Sequence, residues 1–239
     1  GAGLLAVVGC AADSSPSTSS TTASSSSSAG VSSEVSDETE GPYPGDGSNG
    51  VNVLDDSGIV RSDITRSFDT STTVAPGVPL TINMTLLDAD SGFSALAGAA
   101  VYLWQCDAEG GYSMYSSGLE NENYLRGVQE TDGSGTVMFT SVFPGCYQGR
   151  WPHVHFEVYS SVADATSSGP IVKTSQLALP EAACNAAYED SAYDSTRSNL
   201  GNISLMSDGI FGDDGGIHQL ATVTGSVADG FVANLTIGV

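Results

Sequence analysis

Leu80-Thr81-Ile82-Asn83-Met84-Thr85-Leu86 is the stretch that decides the fold class, because apolar and polar residues alternate along it. Successive side chains of a β-strand point to opposite faces, so the alternation predicts a strand with one face in a core. Comparable segments recur at 99–104, 136–142, 153–159, 176–179, 219–223 and 231–237. Strands at this density predict an all-β protein, a sandwich or a barrel. We expect an antiparallel β-sandwich of immunoglobulin-like or prealbumin-like architecture, with long loops and little helix.

Turn-forming residues support the same class. The 239-residue chain has 29 Gly and 9 Pro spread along it, and Gly-rich turns such as 131–135 separate several predicted strands. One short helix is predicted at 181–187, where helix-forming residues follow Pro180, a residue suited to the first turn of a helix. A chain of this length favours one folded domain with one site, which we place at 41–239.

The residues before this domain resemble an export signal followed by a tether. Leu4-Leu5-Ala6-Val7-Val8-Gly9-Cys10 is similar to the end of a bacterial lipoprotein signal with its lipobox cysteine. This interpretation makes 1–9 a signal remnant and 10–40 a disordered Ser/Thr-rich tether, too poor in apolar residues to fold. We therefore expect an extracytoplasmic protein that is either lipid-anchored through Cys10 or secreted.

The charge balance excludes one class of partner. Six Lys and Arg residues against 28 Asp and Glu give a formal net charge of −22. Polyanions and anionic bilayers are repelled by such a charge, so nucleic acid is not expected as a partner. Contact with a membrane is expected only through a lipid on Cys10. The acidic residues are scattered along the chain, which favours a solubilising role over an acidic docking patch.

The cysteines of an exported protein are expected to oxidise. Lipidation of Cys10 leaves Cys106, Cys146 and Cys184, which predicts one disulfide and one free thiol. The pairing stays open at this point.

The most informative stretch for chemistry is Trp151-Pro152-His153-Val154-His155-Phe156-Glu157-Val158. On a strand, residues two apart share a face, so the two imidazoles of His153 and His155 point to the same side and can reach one metal ion. The opposite side of this strand is apolar and is expected to face the core: Val154, Phe156 and Val158. The His-x-His pattern by itself does not choose the metal.

Several motifs together resemble the intradiol ring-cleavage dioxygenase family, in particular its compact exported branch, similar to protocatechuate and catechol intradiol dioxygenases. They are 104–112, 124–129 with Thr131-Asp132, Pro144-Gly145-Cys146-Tyr147 and 150–155. The resemblance continues at 40–43, 61–64 and 174–177, so it covers nearly the whole predicted domain. Only six positions separate Tyr147 from His153, where familiar cytoplasmic relatives have longer insertions, and a more open site is expected.

The resemblance implies a ferric ion, Fe(III), held by two tyrosines and two histidines. At the matching positions these ligands are Tyr112, Tyr147, His153 and His155. Phenolate is an anionic oxygen donor that suits a hard cation, and a nearby cation is what keeps a phenol with a pKa of about 10 ionised at neutral pH. The tyrosines interpreted as ordinary strand or loop aromatics are Tyr102, Tyr115, Tyr124 and Tyr159.

The family resemblance also implies roles around the metal. Arg150 matches an arginine that stabilises negative charge on the substrate, and Gln176 matches a residue near the metal or the substrate. Tyr147 is expected to leave the metal when a catechol binds and to take a substrate proton. Pro42 and Tyr43 are candidate substrate contacts. The implied partners are a small aromatic diol and O2, and the implied product is a muconate-type dicarboxylic acid.

Two alternatives stay open at the level of sequence. A zinc or copper site on a β-sandwich is possible with His153, His155 and the remaining histidine, His218. A non-enzymatic surface binding module is the other alternative, because a sandwich fold alone does not imply an activity.

Overall fold

The structure is a computed structural model that describes residues 1–3 and 30–239. The predicted lipidation site at Cys10, most of the predicted signal remnant and the tether up to residue 29 lie outside the described residues. Within the described part of the chain, no helix has the length and apolar character needed to cross a membrane.

The described residues form nine strands and a few short helices. The strands are β1 Pro79–Asp88, β2 Ser94–Ala95, β3 Ala100–Trp104, β4 Arg126–Glu130, β5 Thr136–Val142, β6 His153–Tyr159, β7 Ile171–Ala178, β8 Thr222–Ser226 and β9 Gly230–Gly238. The α-helices are α1 Val162–Ala165, α2 Glu181–Ala187 and α3 Arg197–Leu200, and 3₁₀ turns lie at Ser191–Tyr193 and Leu205–Ser207. The all-β class is confirmed, and the helix predicted after Pro180 is present.

The strands pair into two sheets, as a sandwich requires. One sheet has the order β2-β1-β9-β8 with β5 also paired to β1, and the other has the order β4-β3-β6-β7. All pairs are antiparallel except β1 with β9, which run parallel. A parallel pair needs a long connection between its strands, and most of the folded chain lies between β1 and β9. The expected purely antiparallel arrangement therefore has one exception.

Most predicted strands are found within a residue or two of their expected ends. The segment predicted at 219–223 is displaced to Thr222–Ser226, and the one predicted at 176–179 begins earlier, at Ile171. Strand β4 lies outside the alternating segments, because Arg126-Gly127-Val128-Gln129-Glu130 carries little apolar character. The sequence pattern of β4 alone does not predict a strand. The segment becomes a strand because it pairs with β3.

The core lies between the sheets. The alternation that predicted β1 places Leu80, Ile82, Met84 and Leu86 in this core, each with at most 1% of its surface exposed. From the other sheet, β6 contributes its apolar side chains to the same core: Val154, Phe156 and Val158.

The second sheet is also covered on its outer face. A separate cluster joins Tyr102, Trp104 and Tyr159 of that face to Val53 and Ile59 of the segment that precedes β1. As a result all seven residues of β6 are buried, including the two histidines. The sequence pattern predicted a buried apolar face for β6, but the covering of its polar face is a product of the tertiary fold.

The compact part of the chain begins before Gly41. It spans Val31–Val239. Val35 is only 2% exposed, its backbone N–H donates to the carbonyl of Gly238, and Glu34 forms a bridge with Gly238. Glu34 and Val35, which we expected in the tether, therefore pair with the end of β9, where the Val35 side chain reaches the core.

The predicted disulfide is wrong for the described cysteines, which are all free and buried. Each thiol lies near a backbone carbonyl: Cys106 near Gly145, Cys146 near Arg150 and Cys184 near Leu179. Burial raises the pKa of the Cys146 thiol to about 12, so it stays protonated at neutral pH. The three thiols behave as small core residues.

We expect Phe139→Ala to destabilise the domain by about 3–5 kcal/mol, because Phe139 is fully buried in β5 between the sheets. Urea unfolding followed by circular dichroism measures the change. Met138→Ala is the matched control. The Met138 side chain, next to Phe139 in β5, is 48% exposed, so its removal should change the free energy of unfolding little. An equal loss of stability in both variants would contradict the assignment of the inter-sheet core.

Candidate active site

His153 begins β6 with its imidazole held in one protonation state. Its Nδ1 lies 2.5 Å from the carbonyl oxygen of Trp151, and a carbonyl only accepts, so Nδ1 carries the proton. The other ring nitrogen, Nε2, then presents a lone pair. Burial, followed by the charge of Arg150, lowers the pKa of His153 to about 3, so the ring is neutral. A neutral, oriented imidazole is the form that binds a metal.

His155 faces the same side of β6. Its Nε2 lies 3.0 Å from Nε2 of His153, and its ring stacks on Trp104 with centroids 5.0 Å apart and an interplanar angle of 8°. Burial, with the neighbouring His153 as a second cause, lowers the pKa of His155 well below its usual value. Its buried Nδ1 has no hydrogen-bond partner among the described residues. Two neutral imidazoles therefore converge in a site that their own hydrogen bonds do not fully satisfy.

Two loops bring tyrosines to these histidines. Tyr147 follows the Pro-Gly turn, and its Oη lies 3.2 Å from Nε2 of His153 and 3.5 Å from Oη of Tyr112. Gly145 permits this approach, since a Cβ there would lie 2.5 Å from the carbonyl oxygen of Ala108 in the loop that leads to Tyr112. The glycine in the Pro-Gly-x-Tyr motif therefore allows the two tyrosine loops to pack together.

The two tyrosines and two histidines form one group of donor atoms. The successive separations from Tyr112 Oη through Tyr147 Oη and His153 Nε2 to His155 Nε2 are 3.5, 3.2 and 3.0 Å. Donors that share one ion at about 2.0–2.2 Å lie roughly 3 Å apart, so the spacing fits a single metal ion. Burial raises the pKa of both phenols, hence only a cation among them makes them anionic. A mixed nitrogen and phenolate set fits ferric iron.

The neighbouring tyrosine has a different position. Tyr115 Oη accepts the backbone N–H of Gly45 at 2.9 Å and donates to Oδ1 of Asn49 at 2.9 Å. It lies outside the donor group, so the structure separates Tyr112 from Tyr115 where sequence distance did not.

Arg150 is held beside the donor group by an ion pair with the buried carboxylate of Asp208. Its Nε donates to Oδ2 of Asp208 at 2.9 Å, and Nη2 donates to Oε1 of Gln176 at 2.6 Å. Nη1 lies 3.3 Å from Nε2 of His153. Gln176 is opposite His155 in the pairing of β6 with β7. The Nε2 of Gln176 donates a hydrogen bond to the carbonyl of Thr39, which fixes the orientation of the amide. Arg150 and Gln176 are therefore both brought to the site.

Asp208 is a residue that sequence reasoning missed. Its side chain is fully buried, and it also accepts the backbone N–H groups of Trp151, Ile210 and Phe211. These bonds and the Arg150 ion pair lower the pKa of its carboxyl group, although burial alone would raise it. The sequence around it is an ordinary loop pattern, Ser207-Asp208-Gly209. No local signal points to its distant partner.

A cleft of about 770 Å³ opens above the donor group. Pro42 and Tyr43 line it together with Tyr112, Tyr147 and Arg150. The Tyr43 ring lies 5.0 Å from that of Tyr112 and is 37% exposed, so it forms part of the rim.

Gly41 allows the covering segment to pass close to the histidines. Its φ is +76°, and a Cβ at this position would lie 3.3 Å from Cε1 of His155. Arg126, which sequence reasoning also missed, anchors the next residues by donating to the carbonyls of Tyr43 and Pro44. The segment Pro42–Gly45 forms the roof of the cleft, and the two hydrogen bonds from Arg126 hold it in place.

The remaining histidine is elsewhere. Nε2 of His218 lies 2.9 Å from Oγ of Ser33. Among the described residues, the one group of three or more His, Cys, Asp or Glu side chains with converging ligand atoms is an acidic one that contains no histidine. The zinc or copper site with His153, His155 and His218 is therefore not assembled.

The chain is similar in sequence and in fold to known dioxygenases. A family model described as Dioxygenase matches residues 55–165, a span that includes Tyr112, Tyr147, Arg150 and both histidines of β6. The solved structure of an intradiol ring-cleavage dioxygenase from Tetranychus urticae is 25% identical, with a TM-score of 0.66 over 87% of this chain and 94% of that chain. No curated protein has a matching sequence.

More distant solved structures share the fold. The dioxygenase domain of a dioxygenase and carbohydrate-binding protein fusion from Streptomyces sp. SirexAA-E is 22% identical, with a TM-score of 0.55 over 87% of this chain and 98% of that one. Hydroxyquinol 1,2-dioxygenase from Pseudomonas putida DLL-E4 is 16% identical, with a TM-score of 0.51 over 86% of this chain and 66% of that one.

In sequence and in fold the chain is similar to the intradiol ring-cleavage dioxygenases, which confirms the resemblance seen in its motifs. This similarity supports an oxidoreductase of the dioxygenase class.

We expect Asp208→Asn to destabilise the domain by about 1–3 kcal/mol at pH 7, because it removes a buried charge that pairs with the Arg150 guanidinium. The folded-state pKa of Asp208 is depressed, so its stabilisation is present above the ordinary carboxyl pKa and is lost as pH falls through the depressed value. The difference in free energy of unfolding between parent and variant should therefore become smaller below about pH 4. Urea unfolding at pH 7 and at lower pH measures it.

The exposed Asp90→Asn is the control for this experiment, because its side chain makes no ion pair in the described chain. A gap between parent and Asp208→Asn that stays constant over the acid range would contradict the assigned charge interaction.

Proposed function

We propose that this protein is a non-heme Fe(III) intradiol dioxygenase that opens the ring of a catechol-type substrate with O2 to a muconate-type dicarboxylic acid. The observation that carries the proposal is the convergence of two phenols and two neutral imidazoles at the base of a cleft, beside a fixed guanidinium. Similarity to intradiol dioxygenases over most of the chain supports the same chemistry.

The ligands are assigned to the converging donors: Tyr112, Tyr147, His153 and His155. When bound there, ferric iron supplies Lewis acidity to the oxygens of the substrate and accepts electron density from its ring. The chain supplies donors that are oriented beforehand: the proton on Nδ1 of His153 bonds to the Trp151 carbonyl, and the His155 ring is stacked on Trp104.

The cleft favours a flat aromatic diol. Pro42 and Tyr43 form an apolar and aromatic rim, and the Tyr112 ring lies below it. A planar ring can pack against these groups with its two hydroxyls directed at the donor atoms.

Tyr147 is the residue placed to receive a substrate proton. Its Oη lies in the cleft, between Tyr112 and His153. Both histidines have lowered pKa values and no spare proton-accepting role once they bind metal. A phenolate at Tyr147 is a base of suitable strength for a catechol hydroxyl, since both are phenols.

Arg150 is placed to stabilise negative charge on the substrate. Asp208 and Gln176 hold two of its nitrogens, and the third points toward His153 and the cleft. A donor fixed before the reaction stabilises developing charge without reorganising. Its ion pair with Asp208 and its role in the cleft are compatible, because different nitrogens serve them.

We also propose an extracytoplasmic location, on the strength of the Leu4–Cys10 motif and its Ser/Thr-rich continuation.

Oxygen uptake with a panel of catechols, on protein with its native metal, tests the activity directly. We expect the protein to be red to brown from phenolate-to-iron charge transfer. Tyr112→Phe should shift this visible band, because one anionic ligand is lost. Tyr115→Phe is the matched control and should leave the band unchanged, since Tyr115 bonds to Gly45 and Asn49. Colourless protein saturated with zinc would rule out the ferric assignment.

We expect His153→Ala and His155→Ala each to lose most of the iron and all measurable turnover, while the apolar inner face of β6 keeps the sandwich folded. Elemental analysis and circular dichroism measure these two effects. His218→Ala serves as the control, because that residue bonds to Ser33 away from the site. Full iron and activity in either β6 variant would disprove the ligand assignment.

Arg150→Ala should keep the iron and its colour but lower turnover about 100- to 1000-fold, the typical effect of losing one preorganised donor to a developing anion. Substrate KM should change less than kcat. Steady-state oxygen uptake measures both constants, and Arg66→Ala is the control for removal of a positive charge elsewhere. Normal turnover in Arg150→Ala would mean that the arginine serves only its ion pair with Asp208.

A further inference from the structure

Three carboxylates meet beside β6, away from the phenol and imidazole donors. Glu157 lies two residues beyond His155 on the same face of the strand, and Glu40 and Asp46 belong to the segment that covers this face. One carboxylate oxygen from each of the three residues lies within 4.8 Å of the others. Like charges at this distance repel, so the cluster requires compensation.

One oxygen of the buried member of the cluster lacks a partner. Glu157 is 0% exposed, and its Oε2 accepts the hydroxyl of Tyr159 at 2.7 Å. Its Oε1 is buried and has no hydrogen-bond partner among the described residues. A carboxylate oxygen left alone in the interior is costly, because it loses its water without gaining a donor.

The other two carboxylates each have one oxygen engaged by the same serine. Oδ1 of Asp46 accepts both the backbone N–H and the hydroxyl of Ser48, and Oε1 of Glu40 is 3.1 Å from that hydroxyl. Both side chains are partly exposed. Ser48 is neutral, so these bonds orient the two carboxylates but leave their charges uncompensated.

The basic residues of the chain do not neutralise this cluster. The salt bridges of the described residues use Arg150, Lys173 and Arg197, and their acidic partners lie outside the cluster. Arg126 is buried nearby, but its nitrogens donate to neutral groups, which are the carbonyls of Tyr43, Pro44 and Ser113 and the hydroxyls of Tyr102 and Ser113. Besides protonation of Glu157, whose pKa burial raises to about 8, an external cation is the remaining source of compensation.

We propose that Glu40, Asp46 and Glu157 bind a hard divalent cation, with Ca²⁺ as the best match. Oxygen-only sets select Ca²⁺, Mg²⁺ or Mn²⁺ over zinc and copper. Ca²⁺ bonds to oxygen at about 2.3–2.6 Å, so it bridges oxygens that lie up to about 5 Å apart, whereas Mg²⁺ requires a tighter octahedron. Water completes the coordination on the exposed side, where Glu40 and Asp46 reach solvent.

The bound cation would fasten the covering segment to the strand that carries the histidines. Glu40 directly precedes Gly41, whose Cα passes close to the His155 ring, and Asp46 follows the Pro42–Gly45 roof of the cleft. The site is separate from the proposed iron site in position and in donor chemistry. It does not depend on the proposed dioxygenase activity.

Calorimetric titration of the native protein with CaCl₂ at constant ionic strength tests the proposal, together with the calcium content of the protein as purified. We expect one Ca²⁺ per chain, either already bound or bound with a Kd of about 10⁻⁴–10⁻³ M, the range of extracellular Ca²⁺ modules. At 10 mM Ca²⁺ the unfolding equilibrium should shift about 10- to 100-fold toward the folded state. For a domain of this size, the Tm should rise by about 3–10 °C.

Asp46→Asn provides the decisive variant, because it removes one charge from a partly exposed side chain and is expected to fold. Without Ca²⁺ it should be at least as stable as the parent, since one repulsive charge is gone, but it should lose most of the Ca²⁺-dependent rise in Tm. Glu157→Gln should behave in the same way. Asp55→Asn, an exposed residue in the same segment, controls for the general effect of Ca²⁺ on a chain of net charge −22.

Absence of both copurified calcium and measurable binding would overturn the proposal and assign the compensation to protonation of the cluster. Binding that Asp46→Asn and Glu157→Gln leave unchanged would overturn it as well, because the ion would then lie elsewhere on the acidic surface. Failure of the proposed iron site would leave both of these Ca²⁺-binding results unaffected.

Discussion

Burial of strand β6 on both faces is the constraint on which the rest of the structure depends. Its inner face packs Val154, Phe156 and Val158 into the core between the sheets. Its outer face carries two imidazoles and a carboxylate, which a protein interior accepts only when partners compensate for the lost water. The segment around 41–59 packs over this face, and side chains from two loops contact it. The candidate active site is the place where that compensation is concentrated.

The donors of the site are held by groups that would be present with or without a metal. The Trp151 carbonyl selects the tautomer of His153, and the Trp104 ring fixes the plane of His155. Asp208 and Gln176 hold the guanidinium of Arg150, and Arg126 holds the roof of the cleft through two carbonyls. These side chains are already ordered when the chain folds. Binding of a ligand therefore costs them little further conformational entropy.

The two polar groups on the outer face of β6 differ in their chemistry. Around His153 and His155 the donors are neutral nitrogens and phenols, which become anionic only beside a cation. Around Glu157 the donors are the oxygens of carboxyl groups, and burial raises the pKa of Glu157 to about 8. A single strand thus presents a nitrogen and phenol set suited to a transition metal and, two residues further, an oxygen set suited to a hard divalent ion.

Much of this protein was readable in its sequence, because its signals are local. Alternation along 80–86 predicted a strand with one buried face, and the spacing of His153 and His155 predicted a shared direction for the two imidazoles. The motifs around Tyr112, Tyr147 and Arg150 pointed to the dioxygenase resemblance. Local patterns of this kind depend only on backbone geometry, so they survive without knowledge of the fold.

Long-range packing decided the remainder. The sequence by itself determined the strand periods, the histidine pair and the candidate tyrosines. Only the tertiary structure decided that Asp208 anchors Arg150, that Tyr112 and not Tyr115 reaches the histidines, that the buried thiols stay unpaired, and that Glu157 meets Glu40 and Asp46. These outcomes depend on which distant segments cover the outer face of β6, and no spacing along the chain encodes a contact between residues that far apart.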